Sequence, residues 1–529
     1  MNYYKIGIDV GGTNTDAVLV THNNTILSKT KQTTTADVST GIKNALEEVL
    51  RLHPVDLSEI KYVMLGTTHC TNALVERKEL NKVGALRLAL PASKAIPTMT
   101  DFPEDLKKLL GKHFYMVHGG FEYDGRVLHP LIEKEIKDYL QKMKGEIDSL
   151  AITGVFSKIN NEQELQVAQW AKEVLGEHIK ISCSHQVGGL GILERENAAI
   201  INAALKNVAD RMVKAFQETV MTVGIKAQLF IGQNDGTLMS LNQVKDFPVL
   251  TISSGPTNSI RGAGALSKVE NGIVIDVGGT TSDGGMLVNF FPRESTQAAQ
   301  IGGVLTNFRM PDVVAVGIGG GTIVRFENAE CTLGPDSVGY RLLEKGIAFG
   351  GDTLTLSDIM LSSGEVEIPN ALAPEALHKK IETHTKLDYD LVFEKVKEQI
   401  QLKIEDLVDK LKTEAKPVPV IACGGGAFLL PKSINGASEV LFPENREVAN
   451  AFGASIAQIS EETEIVINTT QKNEKEEMDS LIANAKEKLL KNGADAKTIE
   501  IIIKESTPLA YLPGAVKLKV KLAGAFEIT

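Results

Sequence analysis

Ile6-Gly7-Ile8-Asp9-Val10-Gly11-Gly12-Thr13-Asn14-Thr15-Asp16 returns later in the chain as Ile273-Val274-Ile275-Asp276-Val277-Gly278-Gly279-Thr280-Thr281-Ser282-Asp283. From Ile8 to Asp16 and from Ile275 to Asp283, seven of nine positions are identical. Each copy is an apolar run, an acid, a Gly-Gly turn, hydroxyl residues and a second acid. After the first copy come Ala17-Val18-Leu19-Val20, the polar turn His22-Asn23-Asn24-Thr25 and Ile26-Leu27-Ser28-Lys29, which reads as strand, turn and strand. The second copy runs likewise into Met286-Leu287-Val288. A dinucleotide fingerprint or a P-loop needs a helix opening on its glycines, and neither copy supplies one. The pattern is that of a phosphate-binding β-hairpin. The turn amides of Gly11, Gly12, Thr13, Asn14 and Thr15, and of Gly278, Gly279, Thr280, Thr281 and Ser282, would form anion nests, while Asp9 and Asp276 hold a hydrated metal. Asp16 and Asp283 are read as hairpin-closing residues, with a metal role as the alternative.

A third glycine cluster ends the apolar run Val418-Pro419-Val420-Ile421-Ala422-Cys423, namely Gly424-Gly425-Gly426. Three glycines let backbone lie flat against a planar ligand, as an adenine site requires. Two phosphate hairpins followed by a late glycine-rich strand end resemble the actin-like ATPase superfamily. That resemblance implies an α/β fold of the duplicated, ribonuclease H-like, two-lobe kind. The expected division is a first lobe over 1–185 with an inserted α/β segment and a second lobe over 186–445 carrying the second hairpin and the adenosine-type glycines. An interlobe helix follows over 446–462, and a small α+β appendix over 463–529.

The 529 residues are too many for one core, and 43% hydrophobic with 23% charged residues is ordinary for a globular protein. A net charge of -11 argues against nucleic acid or an anionic membrane as partner. The N-terminal residues pass directly into the first strand, and no run of about 18 apolar residues occurs, so a cytoplasmic location is expected. Cys70, Cys183, Cys331 and Cys423 are far apart in sequence and are expected to be buried thiols.

Candidate substrate contacts are Thr67, Thr68 and Asn72 in the polar cluster after Tyr62-Val63-Met64-Leu65, and His185 in a loop-like stretch. For that cluster, a helix cap with Thr71 or Asn72 at its start is the alternative. Arg195 and Glu196 open a long helix of small apolar residues, and buried there they would need partners. Val448-Ala449-Asn450-Ala451-Phe452-Gly453-Ala454-Ser455-Ile456-Ala457 is rich in small residues, which fits a close helix crossing between lobes. The cluster Val316-Gly317-Ile318-Gly319-Gly320-Gly321-Thr322 either shapes the cleft or marks a tight strand crossing.

Several of these stretches together resemble the hydantoinase/oxoprolinase family of the hydantoinase A type, in a short form. They are Asp9 to Asp16, Gly66-Thr67-Thr68 with Thr71-Asn72-Ala73-Leu74 and Glu76-Arg77, Leu193-Glu194-Arg195-Glu196-Asn197-Ala198-Ala199, Ser254-Gly255-Pro256, Asp276 to Asp283 and Gly317 to Thr322. The resemblance implies ATP-dependent ring opening of a lactam, hydantoin or related cyclic amide, with ATP and Mg2+ as cofactors. Asp9 and Asp276 would face each other across a cleft and hold Mg2+ through water. No H-E-x-x-H or G-x-S-x-G motif is present, so hydrolysis would be completed by a separate hydrolase-type partner subunit. Asn14 stands where many relatives carry an aromatic residue, so the cyclic substrate is not carried over. The competing readings are a sugar or small-metabolite kinase and a nucleotide-switched, non-enzymatic ATPase.

Overall fold

A computed structural model describes residues 3–527, apart from Thr13, residues 34–37, residues 296–297, Arg309 and Tyr511. The chain begins with β1 (Tyr4–Val10), β2 (Asn14–Thr21) and β3 (Ile26–Thr33), then α1 (Val38–Leu52), β4 (Ile60–Thr67) and α2 (His69–Val75). Ile6, Ile8 and Val10 on β1 and Val18 to Val20 on β2 are all buried, because this strand pair is covered on both faces. Next comes an inserted parallel sheet in the order β6-β5-β7-β8, made of β5 (Val83–Leu90), β6 (His113–His118), β7 (Ser149–Gly154) and β8 (Lys180–Cys183), with α3 (Glu162–Leu175) beside it.

The long helix α4 (Ile192–Thr222) follows, then β9 (Gln228–Gly232) and β10 (Leu238–Ser240). Ala198, Ala199, Ala203 and Ala204 of α4 pack with Val83, Ala85 and Ala151 of the inserted sheet, while Ala209, Val213 and Phe216 pack beneath β1 and β4. Both charged residues at its start are buried and both are partnered. Glu196 forms an ion pair with the fully buried Arg87, and Arg195 donates to Ser184 Oγ and to the carbonyls of Gly154, Gly189 and Leu190.

The second lobe opens with α5 (Ser254–Ser267), continues with β11 (Gly272–Val277), β12 (Ser282–Val288) and β13 (Val313–Val316), and reaches β14 (Val418–Cys423) and β15 (Ala437–Leu441). Its strand order, β13-β12-β11-β14-β15, repeats the β3-β2-β1-β4-β9 order of the first lobe. The senses repeat as well. The first three strands of each set are antiparallel neighbours, and the last two add in parallel to the strand that carries the acid. This is the duplicated actin-like ATPase fold.

The strand order moves the expected division at 185/186. β9 hydrogen-bonds to β4 in parallel and β10 to β9, so both belong to the first sheet. The C-terminal residues also extend that sheet. β16 (Ile459–Asn468) bridges to β10 through Leu238 and Ile459, and β18 (Ala515–Gly524) and β17 (Glu500–Pro508) follow, with α7 (Glu474–Lys491) packed on them. Among the described residues the first sheet therefore has nine strands.

Between the lobes, α6 (Ala449–Ile456) crosses α5 with backbone against backbone. A Cβ on Gly262 would lie 1.8 Å from the Ala449 carbonyl oxygen, and one on Gly453 would lie 1.9 Å from that of Asn258. Gly7 of β1 meets the other side of α6, where a Cβ would fall 2.1 Å from the Ala451 oxygen. Neither neighbour can yield, since each is main chain. Gly453→Ala is expected to cost at least about 1–3 kcal/mol. Gly255→Ala, on the same α5 where nothing stands within 4 Å of the added carbon, is expected not to destabilise. Urea unfolding midpoints of the two variants check the contrast.

Candidate active site

The two acid-bearing hairpins have one geometry. Gly11 N donates to Asn14 O at 3.0 Å, and Gly278 N donates to Thr281 O at 2.9 Å. In register, Asp9 stands opposite Asp16 and Asp276 opposite Asp283. Gly12, Gly278, Thr280 and Thr281 are exposed at the turns, Gly11, Asn14 and Gly279 are half-buried, and Thr15 is buried. Ser282 is also buried, and its hydroxyl donates to Ile318 O at 2.7 Å, so that side chain is committed to packing. Thr13 lies outside the described residues.

Each acid is held by one of the crossing helices. Asn450 of α6 donates through Nδ2 to Asp9 Oδ2 at 3.1 Å and to Asp16 Oδ2 at 2.8 Å. Ser259 of α5 donates to Asp276 Oδ2 at 2.5 Å. Lys31 of β3 donates to both Asp16 oxygens, at 2.9 and 2.8 Å, and its charge also reaches Asp9 and Asp276.

Electrostatics tie the two lobes together. Burial pushes the Asp9 carboxyl up to about 7, and the neighbouring Asp16 and the more distant Asp276 add to the rise, while Asn258 and Lys31 oppose it. Asp276 is also raised by burial, against the pull of Ser259 and Lys31. Asp283 is pushed up to about 6 by burial and then by Asp276. Asp9, which is buried, and Asp276, which is half-buried, are thus electrostatically linked.

The residues fit a divalent cation. Asp9 Oδ1 is buried and lacks a hydrogen bond of good geometry, although the Asn258 amide stands beside it. Gly66 leaves room for both: a Cβ there would lie 2.2 Å from Asp9 Oδ1 and 2.4 Å from Asn258 Nδ2. An acceptor without a well-placed donor, beside the buried Asp16 and linked to the half-buried Asp276, is a cation-accepting arrangement.

The glycine clusters serve this site from behind. A Cβ on Gly424, whose φ is +85°, would fall 2.2 Å from Asp276 Oδ1, and Gly426 N donates to Val277 O at 2.8 Å. Gly425 faces Lys31, whose Cε would be 3.3 Å from an added Cβ. The fourth cluster is a tight crossing rather than a cleft wall. Gly320 N and Gly321 N donate to Gly278 O and Gly279 O at 3.0 and 2.7 Å, bracing the second turn.

Of the candidate substrate residues, three lie beside the first hairpin. Thr68 N donates to Val10 O at 3.4 Å, and Thr68 Oγ1 accepts from Asn72 Nδ2 at 3.3 Å. Thr67 is buried, and its hydroxyl accepts from His69 N, at the start of α2, at 3.2 Å. His185 is not brought to either hairpin. It is bound to Glu164 and lines a separate groove. Sequence reasoning missed Lys31, Asn258, Ser259 and Asn450 as site residues. Asn450 carried a signal, being the one amide in a helix of small apolar residues, whereas Lys31 is one of the two alternating lysines of β3.

Cys70, Cys183 and Cys423 are buried and Cys331 half-buried, all as free thiols. Among the described residues no helix is long and apolar enough to cross a membrane.

The family described as hydantoinase/oxoprolinase N-terminal region matches residues 5–175, and the hydantoinase/oxoprolinase family matches residues 195–463. Caprolactamase subunit alpha of Pseudomonas jessenii is 24% identical, with 86% of this chain and 70% of that protein covered. The acetophenone carboxylase gamma subunit of Aromatoleum aromaticum is also 24% identical, covering 71% and 57%. An uncharacterized protein of Methanocaldococcus jannaschii is 24% identical over 72% of this chain. The chain spans 60% of the length of that archaeal protein, as it spans 57% of the carboxylase subunit. Among solved structures, the ATP-dependent caprolactamase from Pseudomonas jessenii superposes with a TM-score of 0.79 at 18% identity, over 99% of this chain and 88% of that one. Nucleotide-free acetone carboxylase gives 0.69 at 17% identity, over 100% and 88%.

The raised acids set a pH dependence. Asp9 ionises in the unfolded chain at the ordinary carboxylate value but in the folded chain only near about 7, so the folded state holds the proton longer. Its contribution to stability is present at low pH and is lost as pH rises from about 4 to about 7, and Asp283 acts in the same direction. The melting temperature of the nucleotide-free protein is expected to fall between about pH 5 and about pH 7.5, with a flatter profile in Asp9→Asn. Calorimetric melting across that range checks it.

Proposed function

We infer the activity from one premise: the chain belongs to the hydantoinase/oxoprolinase family. We propose that it is an ATP-dependent enzyme that activates the carbonyl oxygen of a lactam, hydantoin or related cyclic amide. The observation that carries this reading is the pairing of two like hairpins whose acids are electrostatically linked, the Asp276 charge helping to raise Asp9 and Lys31 acting on both. Relatives named caprolactamase subunit alpha and 5-oxoprolinase support the substrate class.

In the proposed reaction the substrate's carbonyl oxygen attacks the γ-phosphorus of ATP. The new O–P bond forms as the bond to ADP breaks, and the ring carbonyl becomes an activated imidate. Water then adds to that carbon, the C–N bond opens and phosphate leaves, giving the amino acid. The transferring group needs alignment and charge neutralisation more than covalent help. The exposed amides of the two turns would supply donors, fixed before reaction by the hairpin hydrogen bonds at Gly11 and Gly278. Asp9 and Asp276 would hold Mg2+, with Asn450 and Ser259 fixing the carboxylate orientations. A metal bound there would neutralise charge on the β- and γ-phosphates. Lys31, tied to Asp16 and facing Gly425, would keep a positive charge beside the phosphates. Gly425, the exposed member of Gly424 to Gly426, would leave flat backbone for the adenine, while Gly424 and Gly426 let the strand end pack on Asp276 and Val277.

Relatives named as alpha and gamma subunits support a separate partner that completes the hydrolysis. A ketone as the activated carbonyl compound is the second reading, favoured by the acetophenone carboxylase relative. Purified chain with ATP, Mg2+ and a panel of pyrrolidone, caprolactam, hydantoin and acetophenone is expected to release ADP only with its own substrate. Asp276→Ala should lower that turnover at least about a hundredfold. A persistent phosphate ester as product would identify a kinase instead, and substrate-independent ADP release would identify a nucleotide switch.

A further inference from the structure

One side chain at the crossing of α5 and α6 is left open at both ends. Asn258 of α5 is fully buried, and neither its Nδ2 nor its Oδ1 makes a hydrogen bond of good geometry with a described residue. Its main chain is fixed, because the Asn258 carbonyl oxygen meets α6 at Gly453. The polar side chains around it are committed. Ser259 donates to Asp276, and Asn450 donates to Asp9 and Asp16 while its own Oδ1 accepts from Ala451 N at 2.8 Å. A buried amide with neither end bonded is costly, and native proteins keep few such groups. Its retention beside an acid that also lacks a donor points to a ligand that completes both.

The amide reaches across the lobe boundary. It stands against Gly66 of β4 and Gly232 of β9, two neighbouring strands of the first sheet, although α5 belongs to the second lobe. A Cβ on Gly66 would lie 2.4 Å from Asn258 Nδ2 and 2.2 Å from Asp9 Oδ1, so the amide and the carboxylate meet in the space that glycine leaves. A Cβ on Gly232 would lie 3.4 Å from Nδ2 and 3.5 Å from Oδ1, ordinary contact distances that favour neither end of the amide.

The two ends of the carboxamide are opposite in polarity. With Nδ2 toward Asp9, the amide turns the positive end of its dipole to an oxygen that has no other donor. A cation seated on Asp9 Oδ1 would face that same positive end, so the amide must turn for the cation to be accepted. Turning breaks no well-formed hydrogen bond, because the amide makes none. It sets a carbonyl oxygen beside a carboxylate oxygen, the hard donors that Mg2+ and Mn2+ take.

We propose that Asn258 is a further ligand of the metal site, contributed by the second lobe: when a divalent cation seats on Asp9 Oδ1, the carboxamide turns and its oxygen faces the cation. Before the cation arrives, the NH2 end occupies that side of Asp9. Consecutive residues of α5 then serve both acids, Ser259 by holding Asp276 and Asn258 by completing the shell at Asp9. The proposal rests on the reading of Asp9 as a metal holder.

The test uses the full chain with Mn2+ and a non-hydrolysable ATP analogue, followed by electron paramagnetic resonance. Asn258→Ala is expected to weaken Mn2+ binding about tenfold or more, and Asp9→Asn to weaken it further. Without metal or nucleotide, Asn258→Ala is expected to melt no lower than wild type, since the amide it removes makes no bond. In wild-type protein carrying asparagine labelled with 13C at the side-chain carbonyl, bound Mn2+ should show a 13C hyperfine coupling, which Asn258→Ala deletes. The proposal is overturned if Asn258→Ala takes Mn2+ as tightly as wild type while Asp9→Asn does not. It is also overturned if the wild-type spectrum lacks the coupling, or if the metal-free variant melts lower, which would make the amide a structural bond. Undiminished Mn2+ binding in Asp9→Asn would instead overturn the metal reading on which the proposal stands.

Discussion

The contact of α5 with α6, made without side chains, is the constraint on which the site depends. Gly262 and Gly453 let main chain touch main chain, and Gly7 lets β1 press on the far side of α6. Because the helices are this close, Asn450 and Ser259 reach acids that belong to different sheets. Crossings held by larger side chains would set the helices about 8–10 Å apart. At such a separation Asn258 of α5, a second-lobe helix, would no longer stand beside Asp9 of the first lobe. Asn258 lies at the contact itself: its carbonyl meets Gly453 and its amide stands beside Asp9.

The second consequence is electrostatic. Three carboxylates, the buried Asp9 and Asp16 and the half-buried Asp276, are brought under one another's influence with Lys31 as the cation bonded to Asp16. Burying like charges together is costly, and the cost appears as raised pKa values rather than as an unfolded chain. Asp16 has Lys31 and Asn450, and Asp276 has Ser259, but Asp9 keeps one oxygen without a hydrogen bond. The strain is therefore concentrated on the atom best placed to take a cation. A site that binds a metallonucleotide gains from this, because the ligand relieves a repulsion that the fold maintains at all other times.

Much of the fold was legible in the sequence because its signals are local. A strand, an acid and a two-glycine turn are fixed by neighbours a few residues apart, and the near identity of the two copies stated the duplication before any packing was known. The small residues of Ala449 to Ile456 announced a close crossing for the same reason. What was hidden depends on distant pairings. β9 and β10 join the first sheet through Leu229 beside Val63, and the C-terminal strands join through one bridge between Leu238 and Ile459, neither of which leaves a periodic mark. Of the site, the acids and turns were legible. Lys31 was not, since a lysine on an alternating strand looks like any exposed cation. His185 was singled out for the wrong cleft, because its partner Glu164 comes from α3 of the inserted segment.

The central claim, that both hairpins hold one triphosphate through a metal shared by Asp9 and Asp276, is tested most directly by diffraction from crystals grown with a non-hydrolysable ATP analogue and Mn2+, with data collected at the manganese edge. The account predicts one anomalous peak between the two acids, with the phosphates contacting the amides of both turns. A triphosphate bound to one turn alone, or a metal peak remote from either acid, would contradict it.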